Sequence, residues 1–493
     1  MDVVILNTGP DVSNITMYRT LGAYKIAHSV RQAGYTAQVI DHVVYFSYDQ
    51  LVAALEKFVS NDTLVLGVST TFLTPTVGQM QFTASFTLAL NHITTKYPNL
   101  KLIFGGYGLS GLTLSTIQNI HSVVSKYGED IFVDVLKHIS GHGDEPAYTL
   151  ENTRITSQTY KVYSVPIHVN FNIETDNFRF IKQDAILPSE ALPVEISRGC
   201  IFKCKFCNHL LLGRGKLDYL RSFDLVKEEM MSNYENFGTT MYYVICDTFN
   251  DTEYKMKAWH DMITSLPFKI KFTCYIRADL LERFEDVPHI LQETGMISTF
   301  HGIETLGEQA SASIGKGWSG KRAREYIPEL YHNIWKGKIH QTLSFIIGLP
   351  GDTRESIKST AHWFNDNNLY NISWHCLGIM ATDDTTSLIR NPSEFEKEKE
   401  KYGYFFPIKQ DRGNWHNDYW SFKETSKFLE ETITRINMTT NAYHGSWAVL
   451  QLLQLGFGED RFLKENKKKW NRFELVTAKD KRLTEYIQLL MSL

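Results

Sequence analysis

The chain has 493 residues, 43% hydrophobic and 22% charged, with a formal charge of −4 at neutral pH. That balance is ordinary for a globular protein of two or three domains, and so small a net charge gives no broad basic field, so nucleic acid is not implied as a partner. No run approaches the roughly 18 apolar residues of a spanning helix, and MDVVILNTGP lacks the basic start and apolar stretch of a signal peptide, so the expected location is cytoplasmic, without a membrane partner.

The first third alternates β-rich apolar runs with amphipathic stretches, the pattern of a parallel sheet covered by helices. DVVILNT (2–8), YTAQVIDH, TLVLGVST (63–70), KLIFGGYG (101–108) and HSVVSKYGE (121–129) read as five strands of an open doubly wound, Rossmann-like domain over 1–145. Ligands of such sheets bind outside the carboxyl ends of the strands, here Asn7 to Pro10, Ser69 to Pro75, Gly105 to Gly108 and Tyr127 to Asp130. None of these is G-x-G-x-x-G before a helix, which argues against a nicotinamide dinucleotide, and sharp turns would need the glycines with or without a ligand.

Residues 146–190 lose the alternation and read as a linker. From 191 it resumes, and LPVEISRG (192–199), MYYVICD (241–247), KFTCYIRA (271–278), ISTFHGIET (297–305), HQTLSFIIGLP (340–350) and ISWHCLGIM (372–380) are six strands of a partial β/α barrel over 191–385. A helical extension follows over 386–493. Its Trp415, His416, Tyr419 and Trp420 fit ordinary packing or closure over a substrate, and its basic run Lys467 to Lys469 reads as a solvated helix face.

Three of the six cysteines, Cys200, Cys204 and Cys207, stand in RGCIFKCKFC, directly after the first barrel strand, on the face where barrel enzymes build their sites. Thiolates favour iron–sulfur clusters, zinc or copper. A cluster normally takes four thiolates, so three leave one iron open to another ligand. A zinc site completed by His209 is the alternative, with a cramped bite between Cys207 and His209. Cys246, Cys274 and Cys376 lie singly in strands and read as small core residues. Lys203 and Lys205 face solvent or offset cluster charge.

The C-x3-C-x2-C loop, its aromatic Phe206 and the strand before it resemble the radical S-adenosylmethionine superfamily, and segments downstream follow in the same order: CDTFND (246–251), YIRADLL (275–281), HGIETL (301–306) and FIIGLPGDTRES (345–356). The resemblance implies a 4Fe–4S cluster on Cys200, Cys204 and Cys207, with S-adenosylmethionine on its open iron. It implies Phe206 near the cluster or adenine, Asp247 and Glu304 as negative partners, Arg277 as a bidentate partner for the methionine carboxylate, and backbone approach at Gly348 and Gly351. CDTFND departs from the family's GGE-like segment, which puts Asp247 in doubt, and a salt bridge at a barrel rim would explain each charged residue as well.

The two-domain order over about 1–385 is similar to the cobalamin-dependent branch of the superfamily, which implies corrinoid contacts at Ser69, Thr70, Gly105, Gly106, Tyr127 and Gly128. The D-x-H-x-x-G motif is missing, since Asp41-His42 has neither its spacing nor its glycine, so cobalamin without a protein histidine and no cobalamin at all both remain open. The implied activity is reductive cleavage of S-adenosylmethionine to a 5′-deoxyadenosyl radical, fed by a reducing donor such as flavodoxin or ferredoxin, followed by methyl transfer to carbon of an unidentified substrate. A cobalamin-free enzyme of hydrogen abstraction, rearrangement or cyclisation, and a non-catalytic zinc or iron–sulfur binding protein, are the rivals. A methylthiotransferase is disfavoured, because residues 1–199 contain no cysteine.

Overall fold

The computed structural model describes residues 1–9, 17–71, 80–106, 117, 119–125, 127–155, 158–164, 172–209, 217–369, 371–381, 391–407, 415–437, 446–458 and 471–493. Strands β1 (Val3–Leu6), β2 (Ala37–Ile40), β3 (Val65–Ser69), β4 (Lys101–Gly105) and β5 (Ile120–Ser125) are parallel and ordered β2-β1-β3-β4-β5. Successive residues of β1 enter opposite cores: Val3 and Ile5 pack with helices α1 (Leu21–Gln32) and α4 (Gly128–Ile139), Val4 and Leu6 with α2 (Tyr48–Phe58) and α3 (Met80–Lys96). Burial on both faces is why these strands are continuous apolar runs rather than alternating ones.

The 146–190 stretch is not simply a linker. Thr149–Ile155 (β6) and Gln158–Ser164 (β7) form an antiparallel pair, and β7 joins β5 in parallel, so the sheet has seven strands rather than five. As a hairpin at the sheet edge it keeps polar, half-exposed positions, so its sequence resembles a loop.

All six strands expected in the second half are present, each close to its expected place: β8 (Leu192–Glu195), β9 (Met241–Ile245), β10 (Lys271–Ile276), β11 (Met296–Glu304), β12 (His340–Ile347) and β13 (Asn371–Cys376). They are parallel and paired in chain order with β8 and β13 as open edges, a partial barrel. Helices α5 (Phe223–Phe237), α6 (Glu253–Thr264), α7 (Ala278–Arg283), α8 (Val287–Glu293), α9 (Glu308–Ser313), α10 (Gly320–Glu329) and α11 (Arg354–Asp366) run between the strands.

The C-terminal extension is divided between the two halves. Trp415 and Trp420 are buried beside Ile347 and Leu349 of the barrel. The helix Ser446–Gln454 packs across β9 to β12, and Arg472–Ser492 returns to the first domain, where Leu483, Tyr486 and Leu490 join the core of α2 and α3. The run Lys467 to Lys469 lies outside the described residues. Ion pairs join the halves: Arg19 Nε to Glu190 Oε1 at 2.6 Å and Lys25 to both Asp176 and Glu195, which are buried, and Arg198 Nη1 to Glu129 Oε1 at 2.8 Å, which is partly so. Among the described residues no helix is long and apolar enough to cross a membrane.

Candidate active site

The cysteine loop leaves β8 through Gly199, whose φ of 91° is left-handed territory that favours glycine. It is pinned on two sides, because Lys205 N donates to Ile314 O and Lys205 O accepts from Phe395 N, both at 3.0 Å. Cys200, Cys204 and Cys207 are half-buried free thiols. Each sulfur faces a donor: Phe202 N and Thr248 Oγ1 at 3.4 Å from Cys200, Arg277 Nη1 at 3.6 Å from Cys204, and His209 N at 3.4 Å from Cys207. Burial raises the Cys200 thiol and pushes that of Cys207 up to about 12. Thiols in such surroundings ionise when a metal supplies the compensating charge, and their donors suit a bound thiolate.

The alternative zinc set is not assembled. Among the described residues no three His, Cys, Asp or Glu side chains are gathered to hold a single metal ion. His209 is instead engaged by Asp247, Nδ1 to Oδ1 at 2.8 Å, a bond that raises the imidazole pKa.

Each charged residue expected to face S-adenosylmethionine is already paired inside the protein. Asp247 holds His209. Arg277 places Nε and Nη2 on Asp279 at 3.0 and 2.8 Å, gives Nη2 also to Lys316 O at 2.8 Å, and lies 4.0 Å from the centre of the Phe202 ring. Glu304 follows a β-bulge at the end of β11 with φ of 71°, and its Oε1 accepts from Lys316 Nζ at 2.9 Å. Lys316 therefore touches both neighbours, Arg277 through its carbonyl and Glu304 through its ammonium. No sequence pattern joins His209, Asp279 or Lys316 to these groups; the one local signal is Lys316 standing between Gly315 and Gly317.

Phe206 is half-buried against the cluster of apolar side chains containing Ile347 and Trp415. Gly348 has φ of 101°, but the Trp415 ring covers its open side and its carbonyl accepts from Tyr404 Oη at 2.8 Å, so the strand-end turn is packed by the C-terminal extension. Gly351, φ 87°, is covered in the same way by Gln309. Trp415 and Trp420 are buried packing residues whose indole N–H groups donate to Leu377 O and Asp352 O, while Tyr419 is exposed. Cys246 and Cys274 are buried core residues, and Cys376 lies half-buried near Ser426.

The first domain holds a second feature, a cavity of about 420 Å³ at the carboxyl ends of its strands. Ser69, Gly105, Gly106, Tyr127 and Gly128, five of the six residues expected to contact a corrinoid, line it. Thr70 does not: its side chain turns away and Oγ1 donates to Gly105 O at 3.0 Å. Asn7, at the end of β1, is bonded to Asp41 rather than open. Pro10, Phe72 to Pro75, Tyr107 and Gly108 lie outside the described residues. Among the lining residues are Glu129 and Arg198, an ion pair, with the Arg198 guanidinium 5.1 Å from the Tyr127 ring centre. Arg198 stands two residues before Cys200, so the cavity wall and the cysteine loop are one piece of chain. His42 is buried against Tyr486, is not among the lining residues, and has its pKa lowered to about 3 by burial.

The radical SAM superfamily model matches residues 194–364, from β8 into α11. An uncharacterised methyltransferase of Pyrococcus horikoshii is 28% identical over 167 residues, 34% of this chain, and the match spans only 35% of that protein's length. Among solved structures, the radical S-adenosylmethionine methyltransferase TsrM from Kitasatospora setae, with cobalamin and a [4Fe-4S] cluster bound, aligns over 98% of this chain and 100% of its own at 13% identity and a TM-score of 0.60. The cobalamin-dependent S-adenosylmethionine radical enzyme OxsB, with aqua-cobalamin bound, aligns over 100% of this chain and 80% of its own at 13% identity and the same TM-score of 0.60. At such identity these two establish the fold: a doubly wound domain ahead of a radical barrel. Residues 194–364 are thus a radical S-adenosylmethionine domain.

Proposed function

We propose that the chain is a cobalamin-dependent radical enzyme that transfers a methyl group to carbon of a substrate yet to be identified. The observation that carries this reading is the first-domain cavity. Its volume of about 420 Å³ lies in the usual range of ligand pockets, its lining combines strand-end glycines and small residues with apolar side chains such as Ile5, Ile103 and Phe132, and its wall runs through Arg198 into the cysteine loop. The cavity fits a ligand that must reach the cluster face from the first domain. Two glycines at the end of β4 line it, and at Gly106 a Cβ would meet Thr71 Oγ1 at 2.8 Å, so glycine lets the β3 and β4 ends approach closely at the cavity wall.

When bound, the reduced cluster supplies the electron that cleaves S-adenosylmethionine to a 5′-deoxyadenosyl radical, and a corrinoid supplies the methyl group. The chain's own residues hold and orient. Cys200, Cys204 and Cys207 would ligate three irons and leave the fourth for the amino acid end of S-adenosylmethionine. The Glu304–Lys316 pair and Asp247 bring both signs of charge to the strand ends, matching the ammonium, carboxylate and ribose diol of that cofactor. Trp415 and Tyr404 seal the turn at Gly348 and exclude water from that side. A cytoplasmic setting and a low-potential donor of the flavodoxin or ferredoxin kind belong to the same reading.

The test is anaerobic purification from cells supplied with cobalamin, followed by absorption spectra and by assay of S-adenosylmethionine cleavage under dithionite. Corrinoid absorbance near one equivalent together with 5′-deoxyadenosine is the expected result. Full cleavage with no corrinoid at any stoichiometry would overturn methyl transfer and leave a cobalamin-free radical enzyme.

A further inference from the structure

We infer that Arg277 is a positioning residue that sets the reduction potential of the cluster by placing a positive charge on Cys204, with Asp279 fixing its aim. The inference rests on the assignment of the cysteine loop as the cluster site, and it assigns Arg277 a role other than clasping the methionine carboxylate.

The hydrogen-bond geometry makes the case. A guanidinium grips a carboxylate with a pair of parallel N–H groups. In Arg277 the Nε and Nη2 edge already grips Asp279, at 3.0 and 2.8 Å, and Nη2 spends its other proton on Lys316 O at 2.8 Å. The backbone at Arg277 is held as firmly: its N–H donates to Asn250 Oδ1, and its carbonyl accepts from Asn250 Nδ2, both at 2.9 Å. Stacking on Phe202, two residues before Cys204, fixes the plane. What remains is Nη1, directed at Cys204 Sγ from 3.6 Å.

The three sulfurs are not equivalent in this respect. Cys200 faces a backbone N–H and the Thr248 hydroxyl, and Cys207 a backbone N–H, all neutral groups at 3.4 Å; among the described residues only Cys204 has a cation as donor. Hydrogen bonds to the sulfurs, net charge and solvent exposure set the potential of an iron–sulfur cluster. Reduction adds one negative charge, so a cation against a ligand sulfur favours the reduced state and raises the potential. Arg277 is buried, so solvent and salt screen that charge weakly.

The experiment is a redox titration without S-adenosylmethionine, followed by the electron paramagnetic resonance signal of the reduced cluster, on reconstituted wild type, Arg277→Gln, Arg277→Lys and Asp279→Asn. Iron and sulfide content and the affinity for S-adenosylmethionine are measured alongside. Arg277→Gln is expected to lower the reduced-to-oxidised ratio at fixed poise about tenfold, a 59 mV negative shift for one electron. Arg277→Lys, which keeps the charge without the fork, should fall between, and Asp279→Asn should shift the same way by less. An unchanged potential in fully loaded Arg277→Gln overturns the inference, and weakened S-adenosylmethionine binding at that unchanged potential would assign Arg277 to the methionine carboxylate instead. If Arg277→Gln does not load, Asp279→Asn decides by the same criterion. A wild type that binds no iron and sulfide would fail the cluster assignment itself, a different result.

Discussion

The two ligand-facing regions of this molecule are built in opposite ways. The first-domain cavity is lined by glycines, small residues and apolar side chains such as Ile5, Ile103 and Phe132, with one ion pair, Arg198–Glu129, in its lining. The cluster face of the barrel is dense in charge, and there each charged side chain has a protein partner: Asp247 with His209, Arg277 with Asp279, Glu304 with Lys316. The cavity is defined by its shape, whereas the barrel face is a set of charges whose positions are fixed by partners within the protein. Mutations should therefore act differently in the two regions, through occupancy in the first and through geometry in the second.

The largest expected effect lies in the barrel. Cys204→Ala removes one of the three proposed cluster ligands and should abolish 5′-deoxyadenosine formation while circular dichroism stays native, because the thiol is half-buried in a loop rather than in the core. Undiminished turnover in that variant would refute the ligand assignment. Next comes the cavity. Ser69 lines it from the end of β3, so Ser69→Leu should fill space without straining the backbone. Corrinoid retention is expected to fall at least tenfold while iron content and S-adenosylmethionine cleavage persist. Equal loss of both would show that the two regions are not separable in the way their construction suggests.

The same contrast explains what could be read from the sequence. Ser69, Gly105, Gly106, Tyr127 and Gly128 stand at strand ends legible from the apolar runs before them, and the resemblance to the cobalamin-dependent branch singles them out; the structure places all five on the cavity wall. The cysteine spacing was equally local. Thr70 differs from its neighbours Ser69 and Thr71, which line the cavity, because its hydroxyl is spent on Gly105 O, a long-range bond that no local pattern announces. The partners of the charged residues were not legible, since His209 reaches Asp247 across 38 positions and no periodicity announces such a pair. Gly348 misled for a related reason: its freedom serves a turn covered by Trp415, which arrives from an extension with no pattern linking it to that strand. The hairpin β6–β7 was hidden because an edge pair keeps polar faces.

Breaking the Glu304–Lys316 pair tests whether the barrel charges hold geometry. Both side chains are nearly buried, at 10% and 8% exposure, and Glu304 sits in left-handed backbone. Lys316→Met would leave the carboxylate without its cation and should lower stability by on the order of 3 kcal/mol. Lys316→Arg should recover part of that. Calorimetry on both variants checks it, and a Lys316→Met protein as stable as wild type would mean that the pair contributes no net structure.

The smallest effect concerns Asp352, in the turn after β12, where one carboxylate oxygen accepts from Thr305 Oγ1 at 3.1 Å and burial pushes the group up from 3.8 to about 7. Between those values the folded protein keeps a proton that the unfolded chain has lost. The stability linked to this group is therefore complete at pH below about 4 and is lost as the pH rises through about 7. The steepest loss a single group can impose is about 1.4 kcal/mol per pH unit, so from pH 6 to 7 a fall of about 1 kcal/mol is expected, seen as a declining Tm. Asp352→Asn keeps the shape and cannot ionise, so it should remove this part of the slope while leaving corrinoid retention in the distant cavity untouched. The same slope in wild type and variant would assign the pH dependence to other groups. A flattened slope would show that this carboxyl, bonded to the neutral Thr305 hydroxyl, answers to burial within its own turn.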